Sequence, residues 1–144
     1  MGWFLGSQGL IWTLYGGVCL FHPQLLSTLA GLEQTHWSAV AEVQSMYGGA
    51  QMSIGAFALV GWRHQRRHGP TVMIFFSLLF GGLTLARAGA IVAAGQSFAV
   101  PFGEMPQSYN AGALLFYELP MLLAAIWICR KQSSDGAIMP LQKS

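Results

Sequence analysis

Four side chains stand where an apolar chain has least use for them: Arg87, Glu42, Glu118 and Tyr47 all fall inside long greasy stretches. A charge at the centre of a membrane-crossing helix costs about 2.5–3.5 kcal/mol to insert, so it needs a partner. An arginine and a carboxylate at one depth offset each other. A guanidinium held in that way can also take the polar end of a ligand. Counting along the helices at 1.5 Å per residue puts Arg87 and Glu118 each roughly 10 Å below the same membrane surface, with Glu42 slightly shallower. We therefore expect an Arg87–Glu118 pair, with Glu42 as second acceptor or near neighbour. Pro120 has no N–H and crowds the carbonyl of Phe116. An unpaired carbonyl is thus expected beside Glu118, within reach of Arg87, Tyr47, Tyr117 or a water.

The stretch over 41–62, AEVQSMYGGAQMSIGAFALVGW, adds Gln44, Gly48, Gly49 and Gln51 to this cluster. In lipid every polar side chain must be satisfied by protein or trapped water. The glycines let neighbouring helices approach and open room beside a ligand. In the ligand-binding reading, Arg87 anchors a polar head, Glu118 and Glu42 hold Arg87, and Tyr47 donates a hydrogen bond. The bland alternative is that the charges only set which helices are neighbours. A helical wheel divides the stretch. Glu42, Ser45, Gly49 and Ser53 share one face, while Gln44, Gly48, Gln51 and Gly55 share a nearly opposite one. Both cannot meet a single site, so one face is expected to contact another helix or a second copy.

Other chemistries find little support. His64 and His68 have metal-like helical spacing, but Arg66 and Arg67 between them repel a cation, so no metal site is expected. His22, His36, Glu33 and Glu104 are able to gather on the outer side, though nothing in their spacing orients them. No nucleophile stands beside a base, and no glycine loop resembles a phosphate cradle. The expectation is a protein without enzymatic activity or cofactor. Net charge is only +2 and dispersed, which argues against nucleic-acid binding. Cys19 and Cys129 are expected at opposite membrane faces, separated by a core of roughly 30 Å, and so not as a disulfide.

The elements that must position these groups follow from composition. Hydrophobic residues are 53% and charged ones 8%, against about a quarter charged in a soluble domain; mean hydropathy is +0.48. This predicts an all-α integral membrane bundle, one domain over 1–144, with transmembrane helices at about 3–21, 38–62, 71–94 and 110–129 and a polar tail over 130–144. The first is read as a retained helix rather than a cleaved leader, since no Lys or Arg precedes it and no small-residue cleavage site follows. A Leu-rich interfacial segment is expected between His22-Pro23 and Trp37, and Ser38 is the expected N-cap of the second span. Small-residue strips at Gly9, Thr13 and Gly17, and at Gly82, Ala86, Ala90 and Ala94, predict close packing. The proline-containing link over 95–108 is expected to cover the outer mouth. Arg63, Arg66, Arg67, Arg130, Lys131 and Lys143 all fall in the second link or the tail, which puts both termini inside. Trp3, Trp62 and Trp127 then sit at the inner boundary and Trp37 at the outer one.

The order of these features resembles a family of small bacterial four-transmembrane-helix proteins catalogued as a domain of unknown function. The resemblance spans about 3–131. It is carried by a first helix ending at Pro23, by Glu42 followed by Tyr47-Gly48-Gly49, by a basic link, by Gly81-Gly82 with Arg87, and by Glu118. Relatives commonly place an arginine where this chain has Gln44. More distantly, the chain is similar to small four-helix proteins linked to quinone or lipid metabolism. The resemblance implies a four-helix fold in the bacterial cytoplasmic (inner) membrane and lends no established activity. The expected function is a small scaffold or a bundle binding a lipid or quinone-like ligand. The alternatives are a proton-linked small-molecule transporter working as a homo-oligomer, or an accessory subunit of a larger membrane complex. The absence of an internal repeat argues against the transporter.

Overall fold

The computed structural model describes residues 1–98 and 107–137, and every regular element among them is helical. Helix α1 (Gly2–Phe21) ends at His22-Pro23 as expected. The link that follows holds a short helix, α2 (Leu25–Ala30), closed by Gly31 in the left-handed conformation at φ 69°, where the missing Cβ removes the steric penalty. Leu26 is buried with Cys19 and Val43, and Gln34 Nε2 donates to the Pro23 carbonyl at 2.7 Å. Those contacts fasten the segment down.

The second rod is continuous: α3 (Trp37–Val43), a π-helical turn (Gln44–Gly49) and α4 (Ala50–Arg63). Its cap is His36 rather than Ser38. The extended backbone of His36 lets its Nδ1 accept from the Ser38 amide at 3.4 Å. Only His64 separates α4 from α5 (Gln65–Ala93), so the basic link expected over 63–70 is helical rather than loop. Pro70 is tolerated near the start of α5 because its missing N–H leaves only the carbonyl of solvent-exposed Arg66 unserved. The last rod joins α6 (Gln107–Ala113), a second π turn (Leu114–Glu118) and α7 (Leu119–Ala137). It runs past the expected end at 129. The rest of the expected tail, 138–144, and Pro101, Glu104 and Pro106 of the expected outer cover lie outside the described residues.

Among the described residues, three helices are long and apolar enough to cross a membrane: Gly2–Phe21, Gln65–Ala93 and Ser108–Gln132. The rod over 37–63 has the length, but Glu42, Gln44 and Gln51 dilute its apolar residues. Leu78, Leu85 and Phe116 are 73%, 75% and 72% exposed, and apolar surface on that scale is tolerable against lipid rather than water. Trp3, Trp37, Trp62 and Trp127 are all exposed, and Lys131 Nζ lies 5.5 Å from the Trp127 ring centre.

Two tight antiparallel pairs build the bundle: α1 on the second rod, and α5 on the last. In the first pair Gly9 meets Leu59, Thr13 meets Gly55, and Gly16 meets Met52 and Gly48. The expected strip slips at its third member, because steps of four residues drift about 40° each and a step of three restores the face. Gly16 therefore points inward, and nothing lies near Gly17. The strip over Gly82, Ala86, Ala90 and Ala94 is corrected too: all four are exposed, since α5 turns Phe76, Phe80, Leu83, Arg87 and Ile91 inward instead. The pairs join through an aromatic core in which Phe4, Trp12 and Phe80 surround Phe76 at 5.8–6.4 Å between ring centres. Gln132 Nε2 contacts Met1 Sδ at 2.7 Å, and a Cβ on Gly69 would meet Met1 Cε. The start of α1, the α4–α5 turn and the last turns of α7 thus share one end. Cys19 and Cys129 form no disulfide.

The crossing makes a sharp prediction. A Cβ at Gly55 would stand 2.6 Å from the Thr13 amide nitrogen and 2.8 Å from the Gly9 carbonyl oxygen, both rigid backbone. Gly55→Ala should lower stability in micelles by about 1–3 kcal/mol. Gly17→Ala should cost nothing or stabilise slightly, because alanine is the better helix former. Equal denaturation midpoints for the two variants would refute this packing.

Candidate functional site

Arg87 projects from α5 toward the second π turn. Its Nε and Nη2 both reach Glu118 Oε1 at 2.8 Å, while Nη1 donates to Asn110 Oδ1 at 2.6 Å. The Tyr109 ring lies 5.7 Å from Arg87 Cζ, within cation–π range. Three of the five guanidinium N–H groups are thereby committed and two remain.

The π turn is what assembles this site. In an unbroken α-helix, residues 110 and 118 would point about 80° apart; one inserted residue removes about 100° of phase and brings them nearly into line. The turn has a local cause in Pro120. The N–H of Leu119 bonds to the Leu114 carbonyl five residues back, so the helix widens just before a residue that has no N–H to give. Of the groups expected to use a carbonyl freed by Pro120 (Arg87, Tyr47, Tyr117 or a water), Arg87 takes two side-chain acceptors instead and Tyr117 donates to Gln8.

Glu118 is 3% exposed, and its second oxygen, Oε2, has no hydrogen-bond partner among the described residues. Both guanidinium contacts fall on Oε1, because Nη1 is turned away to Asn110. Beside the pair lies a cavity of about 450 Å³. Its walls include Trp12, Tyr15, Tyr47, Tyr109 and Tyr117, and α2 adds Leu26 and Ala30. Gln51 also lines it, with Oε1 buried and unpartnered. No protein-family model, curated protein or solved structure matches this chain. What the site can do must be read from its own atoms.

The expected cluster divides in three. Arg87, Glu118, Tyr47 and Gln51 meet at the cavity. Gln44 and Gly48 serve the α1 interface instead: Gln44 Nε2 donates to the Leu20 carbonyl at 2.9 Å, satisfying the end of α1, and a Cβ on Gly48 would stand 3.0 Å from Leu20 Cα. Glu42 and Gly49 are exposed. Glu42 is therefore not the second acceptor of Arg87; it sits with Ser45, Gly49 and Ser53 on the outward face of the rod, and Asn110 takes the place expected for it.

Residues the sequence reading passed over complete the picture. Gln8 is 1% exposed. Its Oε1 accepts from Trp12 Nε1 at 3.0 Å and from the Tyr117 hydroxyl at 2.7 Å, and its Nε2 contacts Met121 Sδ at 3.1 Å. Its place in the first span, one turn before Trp12, was a visible signal. Asn110 offered none, because its alignment with Glu118 depends on the π turn. His64 and His68 have ring centres 6.1 Å apart, and no group of three or more His, Cys, Asp or Glu comes together among the described residues. His22, Glu33 and His36 are exposed, and Glu104 lies outside the described residues.

Removing one partner of a buried pair strands the other. Arg87→Ala should destabilise the protein by about 3–5 kcal/mol, whereas the double variant Arg87→Met with Glu118→Leu should lose much less. Denaturant titration in micelles reads both. A double variant as unstable as Arg87→Ala would show that the pair is not what the single substitution disturbs.

Proposed function

We propose that this protein is a non-enzymatic binding bundle of the bacterial cytoplasmic membrane that holds the head of an amphiphile, a lipid or quinone-like molecule, beside Arg87 and Glu118. One observation carries the reading: Glu118, whose enclosed Oε2 has no partner among the described residues, lines an aromatic-walled cavity. A pair serving only to fix helix neighbours has every reason to use both oxygens, because a buried polar atom left unmatched costs about 1–3 kcal/mol. A cavity of about 450 Å³ falls in the range of ligand sites, roughly 300–1,000 Å³. The two π turns that flank it support the same reading, since such turns concentrate at functional sites.

Orientation belongs to the proposal. Arg63, Arg66 and Arg67 cluster at the α4–α5 turn, at the same end as Arg130 and Lys131. With that end in the cytoplasm and the rod over 37–63 as fourth crossing, the chain is N-in/C-in and the cavity lies in the outer half.

Native mass spectrometry of protein purified in mild detergent should show a retained amphiphile. Ala113 lines the cavity, so Ala113→Trp should fill it and shed that mass while keeping the helical circular dichroism of the wild type. Wild type that neither retains nor takes up any amphiphile would overturn the reading.

The outward polar face of the second rod favours a second reading, contact with a membrane-protein partner or another copy. In a Cys19→Ser, Cys129→Ser background, Ser53→Cys should cross-link in membranes to a discrete higher-mass species. Uncross-linked protein throughout would discard that interface.

A further inference from the structure

The walls of the cavity restrict the chemistry of the head group, an argument that rests on the binding reading above. Several hydrogen-bond donors at the cavity are committed, and those that are not, such as the Tyr47 hydroxyl and the amide N–H groups of Gln51 and Asn110, are not among its enclosed, unmatched atoms. Trp12 Nε1 and the Tyr117 hydroxyl both donate to Gln8 Oε1, and three Arg87 N–H groups serve Glu118 and Asn110. Arg87 is partly open, so its two remaining N–H groups can reach water. Tyrosine hydroxyls can give or accept. The groups left wanting are acceptors: Glu118 Oε2 and Gln51 Oε1, both enclosed and without a partner. A bound molecule that brings only carbonyl or ether oxygens cannot serve either. One that brings O–H groups can serve both, and a hydrogen bond to a charged carboxylate is the stronger kind. The walls add shape, because Trp12, Tyr15, Tyr109 and Tyr117 present ring faces and edges that suit a flat ring.

We infer that the cavity selects an aromatic head carrying hydroxyl groups, of the phenol or hydroquinone class, over the same ring carrying only acceptors. Glu118 Oε2 takes the first hydroxyl, and Gln51 takes a second where one is present. The Arg87–Asn110 bond is then a positioning contact: by turning Nη1 aside it concentrates the guanidinium on Oε1 and leaves Oε2 unengaged.

The test compares a 4-alkylphenol with the 4-alkylanisole of the same chain length, titrated by calorimetry into the full chain in nanodiscs. The two probes differ by one donor. The phenol should bind at least tenfold more tightly. Gln51→Leu should leave that ratio largely in place for the one-hydroxyl probe and reduce the advantage of an alkylhydroquinone over the phenol. Glu118→Gln can offer an N–H in place of the oxygen, so the ratio should collapse or invert. Should that variant fail to fold, the wild-type and Gln51→Leu ratios still decide. Equal affinity for phenol and anisole would overturn the selectivity while leaving a binding site standing. Binding of neither probe, with no retained amphiphile, would remove the binding reading and the selectivity with it. An undiminished ratio in folded Glu118→Gln would show that another group takes the hydroxyl.

Discussion

A full positive charge in an apolar bundle has to be met by a negative one, and Arg87 meets Glu118 at 2.8 Å. The rest of the upper bundle follows from that contact. It ties α5 to the last rod and sets the rotation of α5 about its own axis. Phe76, Phe80 and Ile91 then face the core, while the ridge from Gly82 to Ala94 faces outward. Small residues invite close packing, but an enclosed ion pair outweighs them when the two demands point in different directions.

Close contact in one place leaves space in another. Glycines let α1 lie directly on the second rod, and α5 lies on the last rod through Gly81 and Ser77. Between the two pairs the lower half is filled by aromatic rings in mostly edge-to-face and tilted contact, and the upper half is a cavity. The second and last rods each carry a π turn near this level, whereas α1 and α5 stay α-helical through it. A π turn gives up regular hydrogen bonding to re-aim side chains, and here one aligns Asn110 with Glu118 while the other precedes Gln51.

Two buried polar residues show how the same physics separates support from recognition. Gln8 has its amide oxygen doubly used and its nitrogen in contact with Met121, so it closes a network and stiffens the core. Glu118 lies on the same rod as Tyr117, which donates to that network, yet it keeps one oxygen unmatched. That contrast marks Glu118, rather than Gln8, as the group whose hydrogen bonding is left unmet at the cavity.

The all-helical character, the apolar spans and the Arg87–Glu118 partnership were legible in the residues themselves, because hydropathy and the cost of an unpaired charge act locally and need no coordinates. The wheel also divided the second rod correctly into two faces. Which face turned inward was beyond it, since only the contacts of α1 with Gly48 and Gly55 decide that. The exclusion of Glu42, the recruitment of Asn110 and the single orphaned oxygen were likewise decided in three dimensions. Each depends on helix phase and on which atoms meet across helices, and a π turn changes that phase by about 100° without changing a single residue's polarity.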